Sequence, residues 1–196
     1  MVIVVMSYET TVSLDRATIS RGAAIGAVTF VVGYLLAFLV ASGEISESTP
    51  TWKGVAWYFY SAHFADLMVS TSAGQFSGSD TINLVGESAE STIQLLYFVP
   101  PVLLALGGAL LARILGVTAD MAEAAKAGAL GVASYLPLTV IGVFLTEHTG
   151  TASFGFMEAS ATWSVQLLPA ILLAGILYPL VFGAAGGAAA SALEGR

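Results

Sequence analysis

Hydrophobic residues concentrate in four runs, 22–41, 94–115, 127–146 and 165–183, and polar residues collect between them. Each run is about 20 residues long, enough to cross roughly 30 Å of hydrocarbon at about 1.5 Å per helical residue. The runs are continuous rather than alternating, so they predict helices and not the strands of a transmembrane barrel. A backbone in lipid must satisfy its own hydrogen bonds, which a helix does within itself. The pattern therefore predicts an all-α polytopic membrane protein, a single membrane domain over 1–196 with four transmembrane helices.

The longest polar stretch, 42–90, has an aromatic centre at 52–69. Trp52, Trp57, Tyr58, Tyr60 and Phe64 make it too aromatic for a solvated loop, while His63 and Asp66 make it too polar to span. It predicts a helix lying in the interface, its rings at headgroup depth, with Trp163 completing an aromatic platform on the same side. The remainder, 70–90, is rich in Ser, Gly and Asp and reads as irregular loop. The stretch after Gly183 reads as a Gly- and Ala-rich tail.

Within the runs, small residues recur at helical spacing. Gly22, Gly26 and Gly33, with Gly128 and Gly131, are the candidate packing positions, since small side chains let helix backbones approach. Pro100, Pro101, Pro137, Pro169 and Pro179 predict bends in three of the four spans. Segment 21–30 matches 126–135 in its basic, glycine and hydroxyl positions, and 92–96 matches 164–168. The chain thus reads as a tandem duplicated helical hairpin, its halves parallel about an axis along the membrane normal. That symmetry would bring Gln94 and Gln166 together as a polar pair, able to bond a ligand or, at about 1 kcal/mol each, to hold helices together.

Charge then orients the spans. Arg16, Arg21, Arg113, Lys126 and Arg196 fall on one side, whereas Lys53 alone faces Glu44, Glu47, Asp66, Asp80, Glu87, Glu90, Glu147 and Glu158 on the other. By the positive-inside rule both termini are cytoplasmic, in a multi-pass protein of the cell membrane. The outer segments then carry a net charge equal to the −7 of the whole chain. An acidic exterior opposes nucleic-acid binding, and the partners expected are the bilayer and a second copy or another membrane protein. The first apolar residues are too few for a signal sequence, and the start is expected at either Met1 or Met6.

Composition removes much chemistry. With 57% hydrophobic residues, 10% charged and a mean hydropathy of +0.86, the chain is too apolar for a soluble domain. There is no cysteine, so thiolate metal sites and cysteine nucleophiles are excluded. No phosphate loop, serine elbow or zinc-protease motif occurs, and no Asp, Glu, Lys or His lies midway along a run, where coupled transporters keep such groups. His63 with Asp66, and His148 beside Glu147, are too few for a convincing metal set. No cofactor, metal or catalytic residue is expected.

The acidic loops, the Ala-, Gly- and Val-rich spans and the polar MSYE start resemble uncharacterised four-span integral membrane proteins of haloarchaea. The resemblance implies a halophilic archaeal setting and carries no activity with it. In molar salt the screening length is roughly 3 Å, so a dense outer charge would scarcely repel itself. The function expected is a non-catalytic membrane subunit or scaffold. The alternative is a small oligomeric channel or carrier for an uncharged or small solute.

Overall fold

The computed structural model describes residues 11–154 and 157–195; the choice between Met1 and Met6 as start lies outside them. Helix α1 (Arg16–Ala41) begins at Asp15, whose carboxylate accepts from the Thr18 amide at 2.7 Å. The cap satisfies one of the amides a helix start leaves unpaired, and that bond holds the Asp15 carboxyl below its usual range. The face α1 buries is small: Thr18, Gly22, Gly26, Thr29, Gly33, Ala37 and Ala41. Its large aliphatics point outward, Leu39 being 78% exposed. A helix in water would invert this distribution; an apolar solvent suits it.

Helix α2 (Thr51–Ser61) precedes strands β1 (Leu67–Ala73) and β2 (Phe76–Ile82), followed by the short helices α3 (Leu84–Glu87) and α4 (Ser91–Gln94). A 3-10 segment (Leu95–Phe98) leads into α5 (Val99–Leu115), and α6 (Met121–Ala129) and α7 (Val132–Thr146) follow. Strands β3 (His148–Phe154) and β4 (Met157–Val165) then precede α8 (Leu167–Pro169), a π-helical segment (Ala170–Leu177) and α9 (Tyr178–Glu194). Four helical stretches are long and apolar enough to cross a membrane: Arg16–Glu44, Ser91–Leu115, Met121–Thr146 (with a turn at Leu130 and Gly131) and Leu167–Glu194. The last runs well past Gly183, so the expected Gly- and Ala-rich tail is helix as far as Glu194.

Backbone contact explains that glycine content. A Cβ on Gly22 would strike Leu130, and one on Gly26 would strike the Gly131 carbonyl and Ser134. Gly108 of α5 and Gly128 of α6 both abut the backbone at Gly183, and Gly186 and Gly187 of α9 sit against Ala105 and Ala124. Helix α9 is thereby wedged between α5 and α6 at the end of the bundle holding the termini. Four of the five span prolines lie at changes of helix type, while Pro137 sits within α7. Pro100 and Pro101 occupy the first turn of α5, where their missing amides cost no bond, and the π segment lies between Pro169 and Pro179.

The fold is not purely helical. The two connections at the opposite end build one antiparallel sheet of four strands, in the order β2-β1-β4-β3. This corrects the all-α expectation, and 70–90 is largely hairpin rather than irregular loop. The expected interfacial helix is also recast. Helix α2 stops at Ser61, residues 67–69 enter β1, and the helix buries Val55, Trp57, Phe59 and Tyr60 against the bundle.

Candidate functional site at the sheet end

Each hairpin has seven residue pairs, from Leu67↔Ile82 to Ala73↔Phe76 in the first, which a two-residue loop closes, and from His148↔Trp163 to Phe154↔Met157 in the second. In the first loop Gly74 takes φ of 60°, the left-handed backbone that such tight hairpins demand and glycine allows. Strands β1 and β4 join the hairpins in register from Leu67↔Val165 to Ala73↔Ala159. The roots, Leu67 and Val165, are buried on the bundle, whereas Phe76 near the first loop is 81% exposed. The sheet therefore projects from the helices.

Period-two alternation gives its faces different chemistry. The register places Ser70 and Ser72 of β1, Ser77, Ser79 and Thr81 of β2, Thr149, Thr151 and Ser153 of β3, and Ser160, Thr162 and Ser164 of β4 on one face. Thr149 and Thr162 share a hydroxyl hydrogen bond of 2.9 Å across that face. The other face is mixed, carrying Val69, Ala73, Phe76, Ala159, Ala161 and Trp163 with Thr71, Asp80 and His148, and its outer part bounds, with Ser48, Thr49 and hydroxyls of the first face, an open cleft of about 750 Å³. A cleft of this size with small apolar walls and few charged groups suits an apolar or neutral surface.

Beneath the cleft the aromatic residues lock α2 in place. The Trp57 and Trp163 rings stack at 5.4 Å, and the Trp57 indole donates to the Thr146 carbonyl at 3.0 Å. The Tyr60 hydroxyl donates to the Thr139 carbonyl at 2.7 Å, an approach that the absent side chain of Gly142 permits. Burial raises the pKa of Tyr60, so the phenol stays a donor. Lys53 donates to the Glu147 carbonyl at 2.6 Å, where α7 ends.

His63 is fully buried. Its Nδ1 lies 2.8 Å from the Phe59 carbonyl and its Nε2 2.8 Å from the Tyr135 hydroxyl. A carbonyl only accepts, so Nδ1 carries the proton and Nε2 accepts from Tyr135. Burial pushes the imidazole down to about 4, against a weaker upward pull from the Phe59 carbonyl. A neutral histidine thus ties α2 to α7, a titratable group that the run-by-run scan did not place in the bundle. Its only signal in the sequence was its place in the aromatic-rich stretch from Trp57 to Phe64.

The single asparagine, Asn83, is a second hub. Its Oδ1 accepts from the Gly86 amide and the Tyr97 hydroxyl, each at 2.9 Å, and its Nδ2 donates to Asp66 at 2.7 Å and the Ser61 carbonyl at 3.2 Å. One amide so joins the end of α2, the start of α3 and the entry to the second span. Phe64, at φ of 57°, occupies the left-handed position that closes α2: the Phe64 amide donates to Ser61 and the Ala65 amide to Tyr60. Glycine usually takes that position; here the phenylalanine ring stacks on Tyr97 at 4.6 Å.

The expected polar pair, Gln94 and Gln166, shares no hydrogen bond. Gln94 donates to the Ser88 carbonyl at 2.9 Å and Gln166 to the Thr81 hydroxyl at 3.0 Å, each holding its own neighbourhood. The aromatic platform divides. Trp57 and Tyr60 are core, Tyr58 and Trp163 are half-buried, and only Trp52 and Phe64 are exposed. His63 and Asp66 turn to different partners, and among the described residues no three His, Asp or Glu side chains cluster to hold a metal. Of the packing glycines, Gly22, Gly26, Gly128 and Gly131 lie at helix crossings, and Gly33 faces the Phe59 ring.

Four helices long and apolar enough to cross a membrane, beneath a two-faced sheet that carries a cleft, define a mainly helical protein with a β-sheet cap. Residues 6–194 match the family described as a family of unknown function (DUF7978), and the chain belongs to it. Neither the curated proteins nor the solved structures yield a match to the chain.

Proposed function

We propose that this protein is a non-catalytic integral membrane scaffold, in which the helical bundle holds the sheet at the outer surface for docking to itself or another membrane protein. One observation carries the reading. Both connections at the sheet end are spent on a single shared sheet whose cleft and edges, among the described residues, offer docking area rather than a constellation of acids, bases or nucleophiles. The orientation rests on the positive-inside rule, since the sheet end holds eight carboxylates and Lys53, whereas Arg16, Arg21, Arg113 and Lys126 sit at the other end. A high-salt exterior of the haloarchaeal kind fits that acidic cap. The matching hairpins support the reading of the chain as a tandem duplication.

The channel or carrier reading is weaker for a single copy. The space at the helix crossing lined by Gly26, Thr29, Gly107, Gly108 and Gly183 is about 10 Å³, room for one water at most. Purification in mild detergent tests the proposal. The scaffold reading expects stoichiometric recovery of a second protein or a stable self-assembly. A lone monomer that passes solute when reconstituted in liposomes contradicts it.

A further inference from the structure

We infer that copies of this chain join head-to-tail through the two open edges of the sheet, β3 of one copy pairing antiparallel with β2 of the next. The inference deepens the scaffold reading and rests on it. Its argument begins inside the chain. The two hairpins share one register of seven pairs, in which Leu67 takes the place of His148 and Ile82 that of Trp163. They are joined by the first strand of one hairpin and the second strand of the other, as in Ser72↔Ser160. That joint leaves the second strand of the first hairpin and the first strand of the second hairpin as the sheet's edges. The unpaired edges are therefore the same two kinds of strand that already pair once within the molecule. Carrying the internal register across gives Ser153 opposite Ser79 of the next copy, and Thr151 opposite Thr81.

Membrane geometry selects the same pairing. Copies inserted in one bilayer differ by rotation about its normal, so a strand rising from the bundle rises in every copy. Strand β3 leaves the bundle and β2 returns to it, so β3 against β2 is antiparallel, whereas either edge against itself would be parallel and less favourable. Neither edge is guarded as open edges usually are. Residues 148–154 hold no Pro, Lys or carboxylate, and β2 holds only Asp80.

Cysteine cross-linking reads this directly, because the chain has no cysteine of its own. Facing residues in antiparallel strands lie about 4.5–5.5 Å apart at Cα, within disulfide range. Two differently tagged chains, S79C and S153C, are co-expressed and oxidised in membranes, with S72C/S160C in one chain as the control for a formed sheet. The expected result is a covalent dimer at least tenfold above either variant alone, and a ladder of higher species from the double variant S79C/S153C. Absence of that dimer while the control closes overturns the inference, as does equal cross-linking of S153C to itself. If the dimer is absent but another protein co-purifies with the wild type, the scaffold reading stands alone. If nothing co-purifies either, both fall.

Discussion

His63 shows how one side chain sets a pH response. Its ordinary pKa of 6.5 falls to about 4 on burial, so the fold favours the neutral ring. Stability from this group is complete above pH 6.5 and is lost as pH falls toward 4, because the unfolded chain binds the proton first. Between pH 7.5 and 5.5 the loss should be about 1 kcal/mol, read as a lowered unfolding temperature in detergent; H63Q should show little of that dependence. Asn83 makes a sharper demand, since its amide fills four bonds. N83A should cost about 2–3 kcal/mol in thermal or denaturant unfolding, as it strands several partners. N83D should do no better, because it deletes the donor and sets a second carboxylate against Asp66. Neither hub was visible as such in the sequence. A lone asparagine in a Ser- and Gly-rich stretch looks like a turn, and only tertiary structure brings Tyr97 and Asp66 to it.

Among the elements, the spans were legible because their burial is inside-out and continuous, which run length alone reports. The sheet was not, although its alternation is complete: in β4 Ala159, Ala161, Trp163 and Val165 interleave with Glu158, Ser160, Thr162 and Ser164. Between their buried roots and their loops the strands alternate hydroxyl residues mostly with Ala, Gly and Thr and only a few large apolar residues, so a hydrophobic scale hears little period. Helix α2 was seen but misplaced. An aromatic amphipathic helix suits a headgroup layer as well as a bundle cap, and the choice falls to partners such as Thr139 and Thr146, remote in sequence. The Gly- and Ala-rich end of α9 looked like a tail because its packing partner is backbone. That reading has a test in paired substitutions. G183A should lower stability by more than about 2 kcal/mol or prevent assembly, since its Cβ meets the Gly128 carbonyl, whereas G43A, with open space around it, should change unfolding by less than about 0.5 kcal/mol.

At the scale of the whole molecule, charge and topology converge. The end with the sheet is acidic and the end with the termini is mixed, with Arg113 paired to Glu194 at 2.9 Å and Lys126 to Glu123 at 2.6 Å. This segregation could be read from sequence because each connection lies wholly on one side of the bundle. What the connections build could not, since the β1–β4 joint pairs residues 86 to 98 positions apart and leaves no local trace. The central claim is that the sheet exists to be covered by protein. A photo-cross-linking amino acid at Ala161, inside the cleft, tests it in native membranes. The account predicts a discrete protein adduct, of this chain or another, that is lost when the probe is moved to Leu39 on the lipid-facing side of α1. Equal labelling at the two positions, by lipid alone, would contradict it.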